Sequence, residues 1–198
     1  MIAVIDYGAG NIFSVKNALN FLGLEGELCS EPDVIRKADK IILPGVGAFP
    51  DAMSMLEERG LVEVVKEEAQ KKPLLGICLG MQILFEKGYE FEETPGLGLI
   101  EGYVDKLIAP GKKIPHIGWN DTEIINKSPL IKDMKEGDMV YFVHSYKAVT
   151  ADENISLKAH YGQDVPALVF RENVYGTQFH PEKSGEVGLN ILKNFAAL

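Results

Sequence analysis

A cysteine lies between two glycines in the segment Gly76-Ile77-Cys78-Leu79-Gly80, which joins two apolar runs. This G-x-nucleophile-x-G pattern is typical of a tight strand-to-helix turn that projects the central side chain above a sheet. Glycines at both flanks relieve steric crowding at such a bend. The N-terminal end of the following helix would favour the thiolate over the thiol. The pattern predicts a nucleophile at Cys78; the alternative is a small buried thiol without chemistry.

A cysteine nucleophile needs a base, and the base needs an orienting group. His180 and Glu182 flank Pro181 directly after an apolar run. Residues two apart in an extended segment point to the same side, so the carboxylate of Glu182 can reach the imidazole of His180. His180 would then take the proton of Cys78 and deliver it to a leaving group, while Glu182 fixes the tautomer. The alternative is a turn that carries a surface ion pair.

The elements that position these residues follow from the apolar pattern. Strands are predicted at Ile2 to Ile5, Lys40 to Leu43 and Leu74 to Ile77, and the stretch Leu79 to Phe85 is predicted to continue as a helix. Short β-rich runs separated by Gly, Pro and Asn follow from Leu97 onward. We therefore predict an α/β fold with a mainly parallel central sheet flanked by helices, plus antiparallel strands in the C-terminal half.

Two further breaks in the pattern place helices. Pro50 can begin an amphipathic stretch that runs to about Lys71, and Gly60 is expected to divide it in two. A final helix is predicted to start near Ser184. Ends of parallel strands share one edge of a sheet, so Cys78 and the later His-x-Glu segment are expected to meet there.

The composition limits the class of protein. At 198 residues the chain is near the upper end of one compact domain, so we predict a single domain over residues 1–198. The net charge of −9 and the scattered Lys and Arg residues argue against nucleic acid as a partner. No apolar run has transmembrane length, and no secretory signal precedes or includes Ile2 to Ile5. We expect no membrane partner and a cytoplasmic location.

The cysteines and histidines have neither the number nor the spacing of a metal site. Cys29 and Cys78 are too few for a disulfide framework or a cysteine-rich metal site, and Cys29 lacks the elbow context. His116 and His144 could suggest a metal site, but no spacing supplies a convincing third ligand. We therefore predict no metal and no cofactor.

The segments around the two motifs resemble a known family. The stretch from Gly76 to Gln82, together with Phe179-His180-Pro181-Glu182, is similar to the class I, or triad, glutamine amidotransferases. Further segments resemble one branch of that family, the glutaminase subunits of imidazole glycerol phosphate synthase, over essentially the whole chain. These segments span residues 6–11, 44–49, 115–120, 141–146 and 180–184.

The resemblance implies a reaction and a partner. L-Glutamine would be hydrolysed through a γ-glutamyl thioester on Cys78, giving glutamate and ammonia. The ammonia would pass without release to a (β/α)8-barrel cyclase subunit of imidazole glycerol phosphate synthase, in a heterodimer that serves histidine biosynthesis. The isolated chain is expected to be nearly inactive, because a glutaminase that vents ammonia serves no synthesis.

The same resemblance assigns donors for an oxyanion hole. Val46 and Gly47 would act opposite the backbone N–H of Leu79, since a tetrahedral intermediate needs two such donors. We hypothesise that the peptide between Val46 and Gly47 must rotate before its N–H points inward. The neighbouring glycines would lower the steric cost of this rotation. Whether this strand rests in an active or an inactive form does not follow from the sequence.

The resemblance also suggests residues for substrate and partner. Gln82 lies one helical turn past Cys78 and would bind the amino-acid end of glutamine, with help from Ser145 and Tyr146. Glu93 is a candidate for the substrate ammonium. Four residues match positions that the family places at or near the cyclase interface: Asn11, Trp119, Asn120 and Lys183. Each has an alternative role, respectively as a helix cap, core filling, a turn residue and a solvated charge.

Three other functions share some of these sequence features. Another triad glutaminase, feeding pyridoxal phosphate, purine or pyrimidine synthesis, is the nearest alternative, and the Pro-His-x-Gly-Trp-Asn segment argues against it. A catalytically silent binding subunit is disfavoured because all three triad residues are present. A cysteine hydrolase acting on peptides or other amides would share the elbow, and peptide turnover without glutamate formation from glutamine would identify it.

Overall fold

The computed structural model describes all 198 residues, and one eight-stranded sheet organises them. Two smaller sheets of two and four strands lie beside it. In chain order the elements are β1 (Ile2–Ile5), α1 (Ile12–Phe21), β2 (Gly26–Cys29), α2 (Pro32–Lys37), β3 (Lys40–Gly45), α3 (Phe49–Glu58), α4 (Leu61–Ala69), β4 (Leu74–Cys78), α5 (Leu79–Gln82), β5 (Phe85–Gly88), β6 (Thr94–Pro95), β7 (Ile100–Lys106), β8 (His116–Asp121), β9 (Glu123–Ile124), β10 (Met139–His144), β11 (Tyr146–Val149), β12 (Ile155–His160), β13 (Asp164–Arg171), β14 (Val174–Thr177) and α6 (Gly185–Ala196).

The large sheet is parallel in one half and antiparallel in the other. Its order is β2-β1-β3-β4-β14-β13-β12-β9, and the first five strands pair in parallel. The strands β13, β12 and β9 then add in antiparallel fashion. This arrangement confirms the predicted α/β class, with antiparallel strands contributed by the C-terminal half.

The central strands form because they are apolar on both faces. All residues of β1 and β4 are buried, and β3 is buried from Ile41 onward. Alternate residues enter two cores: Ile41 and Leu43 pack with α3 and α4, whereas Ile42 packs with α1 and α6 on the other face. Burying one such side chain stabilises the fold by about 1.5–3 kcal/mol. Helices on both faces are therefore required to cover the sheet.

The predicted helix breaks lie where expected. Gly60 separates α3 from α4 and has φ +65°, in the left-handed region. This conformation ends a helix, and glycine adopts it without steric cost because it has no Cβ. The last helix begins at Gly185, directly after Ser184.

α5 is shorter than the sequence pattern predicts. The predicted helix reached Phe85, but α5 ends at Gln82, and Phe85 begins β5. The carbonyl of Ile83 accepts a hydrogen bond from the N–H of Leu97 at 2.8 Å, and β5 pairs with β6 and β7. Long-range strand pairing therefore takes the backbone groups that a longer helix would have used. A continuous apolar run cannot distinguish these outcomes by periodicity.

The two small sheets build a wall over the carboxyl ends of the parallel strands. β10 pairs with β8 in antiparallel fashion, and β11 joins β7, β5 and β6. Ser145 alone separates β10 from β11, so the chain changes sheets at this residue. In this fold, no helix is long and apolar enough to span a bilayer.

Candidate active site

Cys78 is the last residue of β4 and has an unusual backbone conformation. Its φ is 56° and its ψ is −110°, a region that a side chain with a Cβ rarely adopts. Such strain persists only where the surrounding structure fixes it, and it is common at functional sites. The geometry matches the strand-to-helix elbow predicted from the sequence.

Close backbone contacts explain the two glycines of the elbow. A Cβ added at Gly80 would collide with the carbonyl oxygen of Leu43 in β3, and one at Gly76 would lie 2.5 Å from the carbonyl oxygen of Gly80. Neither glycine has a positive φ. Space, not backbone conformation, therefore requires glycine at both positions.

His180 and Glu182 form a buried pair beside Cys78. The Nδ1 atom of His180 lies 2.8 Å from Oε1 of Glu182, and their side chains are 2% and 1% exposed. Pro181 begins a short 3₁₀ turn, so a turn rather than an extended segment brings the carboxylate to the ring. The backbone N–H of His180 donates to the carbonyl of Tyr141 at 3.0 Å, which anchors the ring to β10.

The charge state of His180 is set by its two neighbours. Burial alone would lower the pKa of His180, but the nearby Cys78 sulfur and the Glu182 carboxylate outweigh burial and raise it to about 9. The ring is therefore protonated at neutral pH. Its buried Nε2 has no hydrogen-bond partner of its own. An imidazolium in this position stabilises a thiolate on the neighbouring cysteine, the reactive form of that residue.

A cavity of about 280 Å³ opens over Cys78, and it gathers most of the predicted site. Its size suits a small molecule such as an amino acid. Val46 and Gly47 lie on one side, directly after β3, where Gly45 pairs with Cys78. The cavity is lined by Val46, Gly47, Cys78, Leu79, Gln82, Glu90, Pro115, Val143, His144, Ser145, Tyr146 and His180.

The segment after β3 has an open conformation. Val46 is 44% exposed, although the strand before it is buried. Gly47 has φ +117°, and a Cβ there would meet no atom within 4 Å. Conformation rather than space therefore requires glycine at position 47. A strand end that is exposed and glycine-bearing can change its peptide orientation at low steric cost.

Gln82 is fixed by hydrogen bonds at the base of the cavity. Its Nε2 donates to the carbonyl of Tyr146 at 3.0 Å and to Oε1 of Gln178 at 3.1 Å. Gln178 in turn places its Nε2 4.0 Å from the Sγ of Cys78. Gln178 could not be predicted from the sequence, because it lies in an apolar run beside the His-Pro-Glu motif. With both amide hydrogens of Gln82 engaged, its carbonyl oxygen remains as an acceptor.

Glu93 does not line the cavity, whereas Glu90 does. Glu93 is exposed and lies 3.4 Å from Nζ of Lys87 on the surface. The Oε2 atom of Glu90 accepts a hydrogen bond from the N–H of Phe49 at 2.7 Å, and burial raises the pKa of Glu90. The sequence could not separate these residues, because the loop carries several carboxylates and nothing in its pattern shows which faces inward.

The predicted interface residues lie around the rim of the site. Asn11 precedes α1, accepts a hydrogen bond from Ser14 Oγ at 2.7 Å and lines a small cavity with Glu182. Trp119 is 52% exposed and packs edge-on against Tyr141, with ring centroids 6.0 Å apart. Its exposure argues against core filling as its role.

The neighbours of Trp119 extend this rim. Ile117, two residues earlier in β8, is 59% exposed. Asn120 is half-buried and donates to the carbonyl of His160 at 3.1 Å. Lys183 is exposed and follows Glu182 directly. Ile117 and Trp119 therefore present apolar side chains on one face of β8, whereas Asn120 lies on the other face with His116.

A strand-elbow cysteine, a buried His–Glu pair and a small cavity on a mixed α/β sheet are the arrangement that a Cys–His–Glu triad requires. A sequence profile described as glutamine amidotransferase class-I matches residues 3–197, so the chain belongs to that family. Its curated relatives include the protein named imidazole glycerol phosphate synthase subunit HisH from Streptococcus mutans serotype c, 53% identical over 100% of this chain and 99% of that protein. The HisH protein of Bacillus cereus is 53% identical over 98% of this chain and 93% of its own length.

Solved structures share the fold at lower identity. A crystal structure described as glutamine amidotransferase has a TM-score of 0.77 at 21% identity and covers both chains completely. A chain of PurLQS from Thermotoga maritima has a TM-score of 0.77 at 24% identity, over 98% of this chain and 96% of that one. These structures support the class I glutamine amidotransferase architecture.

Proposed function

We propose that this chain is the glutaminase subunit of imidazole glycerol phosphate synthase. The observation that carries the proposal is the likeness to two HisH proteins over nearly the whole chain, joined to a cavity that contains Cys78 and His180. The substrate is L-glutamine, and the products are glutamate and ammonia. The ammonia serves a (β/α)8-barrel cyclase subunit in histidine biosynthesis.

The first chemical step forms a thioester. The Cys78 thiolate attacks the side-chain amide carbon of glutamine, and the carbonyl oxygen becomes an oxyanion. Backbone N–H groups of Leu79 and of the Val46–Gly47 segment are the proposed donors to that oxyanion. Protonated His180 gives its proton to the leaving nitrogen, so ammonia departs and the γ-glutamyl thioester remains.

The second step regenerates the thiolate. His180, now neutral, accepts a proton from a water molecule that attacks the thioester carbon. The carbon–sulfur bond breaks, glutamate leaves, and the imidazolium is restored next to the sulfur. Glu182 holds the ring by its Nδ1–H and stabilises the positive charge throughout both steps.

The substrate's amino-acid end is bound by the opposite side of the cavity. We assign the substrate ammonium to Glu90 rather than to Glu93, because only Glu90 lines the cavity. Gln82, Ser145 and Tyr146 border the same space and supply amide and backbone groups. A carboxylate beside the ammonium would contribute a charge-assisted hydrogen bond.

The exposed rim next to the triad is the proposed site of the cyclase. Asn11 lies beside Glu182, Lys183 follows it directly, and Trp119 packs on Tyr141, whose carbonyl binds the N–H of His180. We infer that a subunit docked here, with Asn120 at its edge, would receive the ammonia. Docking would also reach Val46, which is exposed at the end of β3. We infer that this contact promotes rotation of the Val46–Gly47 peptide and thereby activates the site.

Glutamine-dependent synthesis by a reconstituted complex is the direct test. The chain is mixed with a histidine-pathway cyclase, and imidazole glycerol phosphate formation is followed with glutamine as the nitrogen source. We expect product with the cyclase and little glutamine turnover without it. No glutamate formation with any cyclase would overturn the proposal, and peptide turnover instead would favour a cysteine hydrolase.

Gly47→Pro tests the oxyanion role separately. Proline has no N–H, so the variant lacks the proposed donor. Full cyclase-stimulated activity in this variant would contradict the peptide-rotation hypothesis. The cytoplasmic location remains a prediction, which cell fractionation would check.

A further inference from the structure

Two buried histidines, His144 in the cavity wall and His116 behind it, have no part in the chemistry described above. His116 and His144 lie directly opposite each other in the β8–β10 pair, so their side chains share one face of that ribbon. Nδ1 of His116 is 2.9 Å from Nε2 of His144. His116 is held between the rings of Phe142 and Tyr161, with centroids 4.6 Å and 4.0 Å away.

The contacts of these rings determine where their protons lie. Nδ1 of His144 is 2.9 Å from the carbonyl oxygen of Tyr146, so this nitrogen must carry the hydrogen. Nε2 of His144 is then the acceptor, and Nδ1 of His116 must be the donor to it. The remaining nitrogen, Nε2 of His116, faces Nδ2 of Asn120 at 3.4 Å and can only accept. Each ring therefore has one defined tautomer.

The carbonyl of Tyr146 joins this chain to the glutamine site. It accepts one hydrogen bond from His144 and a second from Nε2 of Gln82 at 3.0 Å, which uses both of its lone pairs. Gln82 also contacts Gln178, whose amide lies beside the Cys78 sulfur. A continuous set of hydrogen bonds thus runs from Asn120 on the rim to the floor of the cavity.

We propose that His116 and His144 form a neutral positioning relay that holds the Tyr146 carbonyl against Gln82 and ties the glutamine site to Asn120 on the rim. The proposal rests on the function assigned above, because the bound substrate is taken to be glutamine. His144 is a positioning residue: it sets where Gln82 and the chain at Ser145 meet the substrate. His116 fixes the tautomer of His144 and so preserves its hydrogen bond to Tyr146.

The electrostatic surroundings keep the relay neutral. Burial lowers the pKa of His144 to about 3; its hydrogen bond to Tyr146 opposes this, while His116 and His180 reinforce it. Burial likewise lowers the pKa of His116 to about 4, and the charge of Lys112 adds to this effect. A second proton on His144 would point its Nε2–H at the N–H of His116. The relay therefore keeps one arrangement across the physiological pH range.

Two substitutions of His144 separate the hydrogen bond from simple packing. In His144→Asn, the amide nitrogen can take the place of Nδ1 and still donate to Tyr146. In His144→Gln, the amide group reaches the place of Nε2, so the pairing with His116 is kept and the donor to Tyr146 is lost. Both variants change ring packing, and thermal unfolding of each reports that shared effect.

Steady-state kinetics of the complex with the cyclase provide the first test. We expect His144→Gln to raise KM for glutamine roughly tenfold, the equivalent of one hydrogen bond. The KM of His144→Asn should stay within about twofold of the wild-type value, because this variant keeps the hydrogen bond to Tyr146. Synthesis driven by added ammonia should be unaltered in both. Equal KM values for the two variants would overturn the proposal, whereas absence of wild-type glutamine turnover would instead refute the assigned function.

Ring nitrogen NMR of the isolated chain provides a second test that needs no activity. We expect both histidines to be neutral with hydrogen on Nδ1 between about pH 6 and pH 8, because the pKa is about 4 for His116 and about 3 for His144. His116→Phe keeps the stacking on Phe142 and Tyr161 but removes the donor to His144. The Nε2 signal of His144 should then shift to that of an acceptor without a hydrogen bond, while Nδ1 keeps the hydrogen that Tyr146 accepts. His160→Asn, on the exposed side chain that pairs with Asp164, is the control and should change neither signal. A charged or Nε2–H His144 in the wild type would refute the relay.

Discussion

Nδ1 of His180 and Oε1 of Glu182 are 2.8 Å apart, and both side chains are almost completely buried. A buried carboxylate next to an imidazole favours the imidazolium, because the positive charge compensates a negative charge that water cannot reach. Together with the Cys78 sulfur, this contact raises the pKa of His180 to about 9 although burial opposes it. The pair therefore controls the protonation state of the base over the working pH range.

The pH dependence of glutaminase activity should show this pKa. We expect the rate at limiting glutamine to fall as pH rises through about 9, because His180 then loses the proton that leaving ammonia requires. Glu182→Gln should lower kcat by about 10²-fold and move this alkaline limb to lower pH. A limb that does not move in the variant would contradict the role of the carboxylate.

The same proton affects stability with a defined sign. His180 has a higher pKa folded than unfolded, so its stabilising contribution is complete below the unfolded value of about 6.5. The contribution is lost as pH rises through about 9. Chemical denaturation at several pH values would detect this loss, and Glu182→Gln should reduce it.

Replacement of the nucleophile should separate the two nitrogen sources. Cys78→Ala is expected to abolish glutamine hydrolysis while ammonia-driven synthesis by the complex continues, since the cyclase needs only ammonia. Loss of both activities would indicate a structural role for Cys78. Cys78→Gly offers a further comparison: it should be about 1 kcal/mol more stable than the alanine variant, because glycine relieves the positive φ.

The two loop glutamates provide a matched pair of variants. Glu90→Gln should raise KM for glutamine by about 10²-fold, as expected when one member of a buried charge pair is neutralised. Glu93→Gln should leave both kcat and KM unchanged, since its side chain contacts Lys87 outside the cavity. The opposite result would return the ammonium-binding role to Glu93. Steady-state glutaminase assays of the complex are sufficient.

The close approach of α5 to β3 predicts a large packing effect. Gly80→Ala would push a methyl group into the carbonyl oxygen of Leu43, and the backbone cannot move aside without displacing Cys78. We expect a loss of about 2 kcal/mol or more in the free energy of unfolding. Gly98→Ala is the control: Gly98 has φ +64° but open space around it, so only the conformational cost of about 1 kcal/mol applies. Equal losses would show that the contact is relaxed.

The hydroxyl of Tyr7 is buried without a hydrogen-bond partner. An added Cβ at Gly45 would lie 2.7 Å from it, which places the hydroxyl beside the end of β3. Tyr7→Phe should leave stability unchanged or increase it slightly, because an unpaired buried polar group is removed. A marked decrease on thermal unfolding would show that the hydroxyl is paired in solution.

The sequence predicted the triad because its signals are local. Gly76 to Gly80 and His180-Pro181-Glu182 each carry their geometry within a few residues, and the strand pattern brings them to one edge of the sheet. The length of α5 was not predictable, because strand pairing with the chain near Leu97 ended the helix. Local pattern contains no information about such distant pairing.

The other features that the sequence did not reveal have the same cause. Glu90 and Glu93 lie in one loop, and only the fold shows which carboxylate faces the cavity. The contact between His116 and His144 depends on the register of β8 with β10, across 28 residues of sequence. The sequence predicts no metal at these histidines, and it does not reveal that they form a hydrogen bond with each other.

Ile117 and Trp119 remain more than half exposed on one face of β8, beside the triad. An exposed apolar surface of this kind favours association with another protein, unless a partner covers it. A cell that makes this subunit in excess of its cyclase would therefore hold a pool of chains prone to self-association. Under the proposed function, balanced production of the two subunits would keep this apolar face covered.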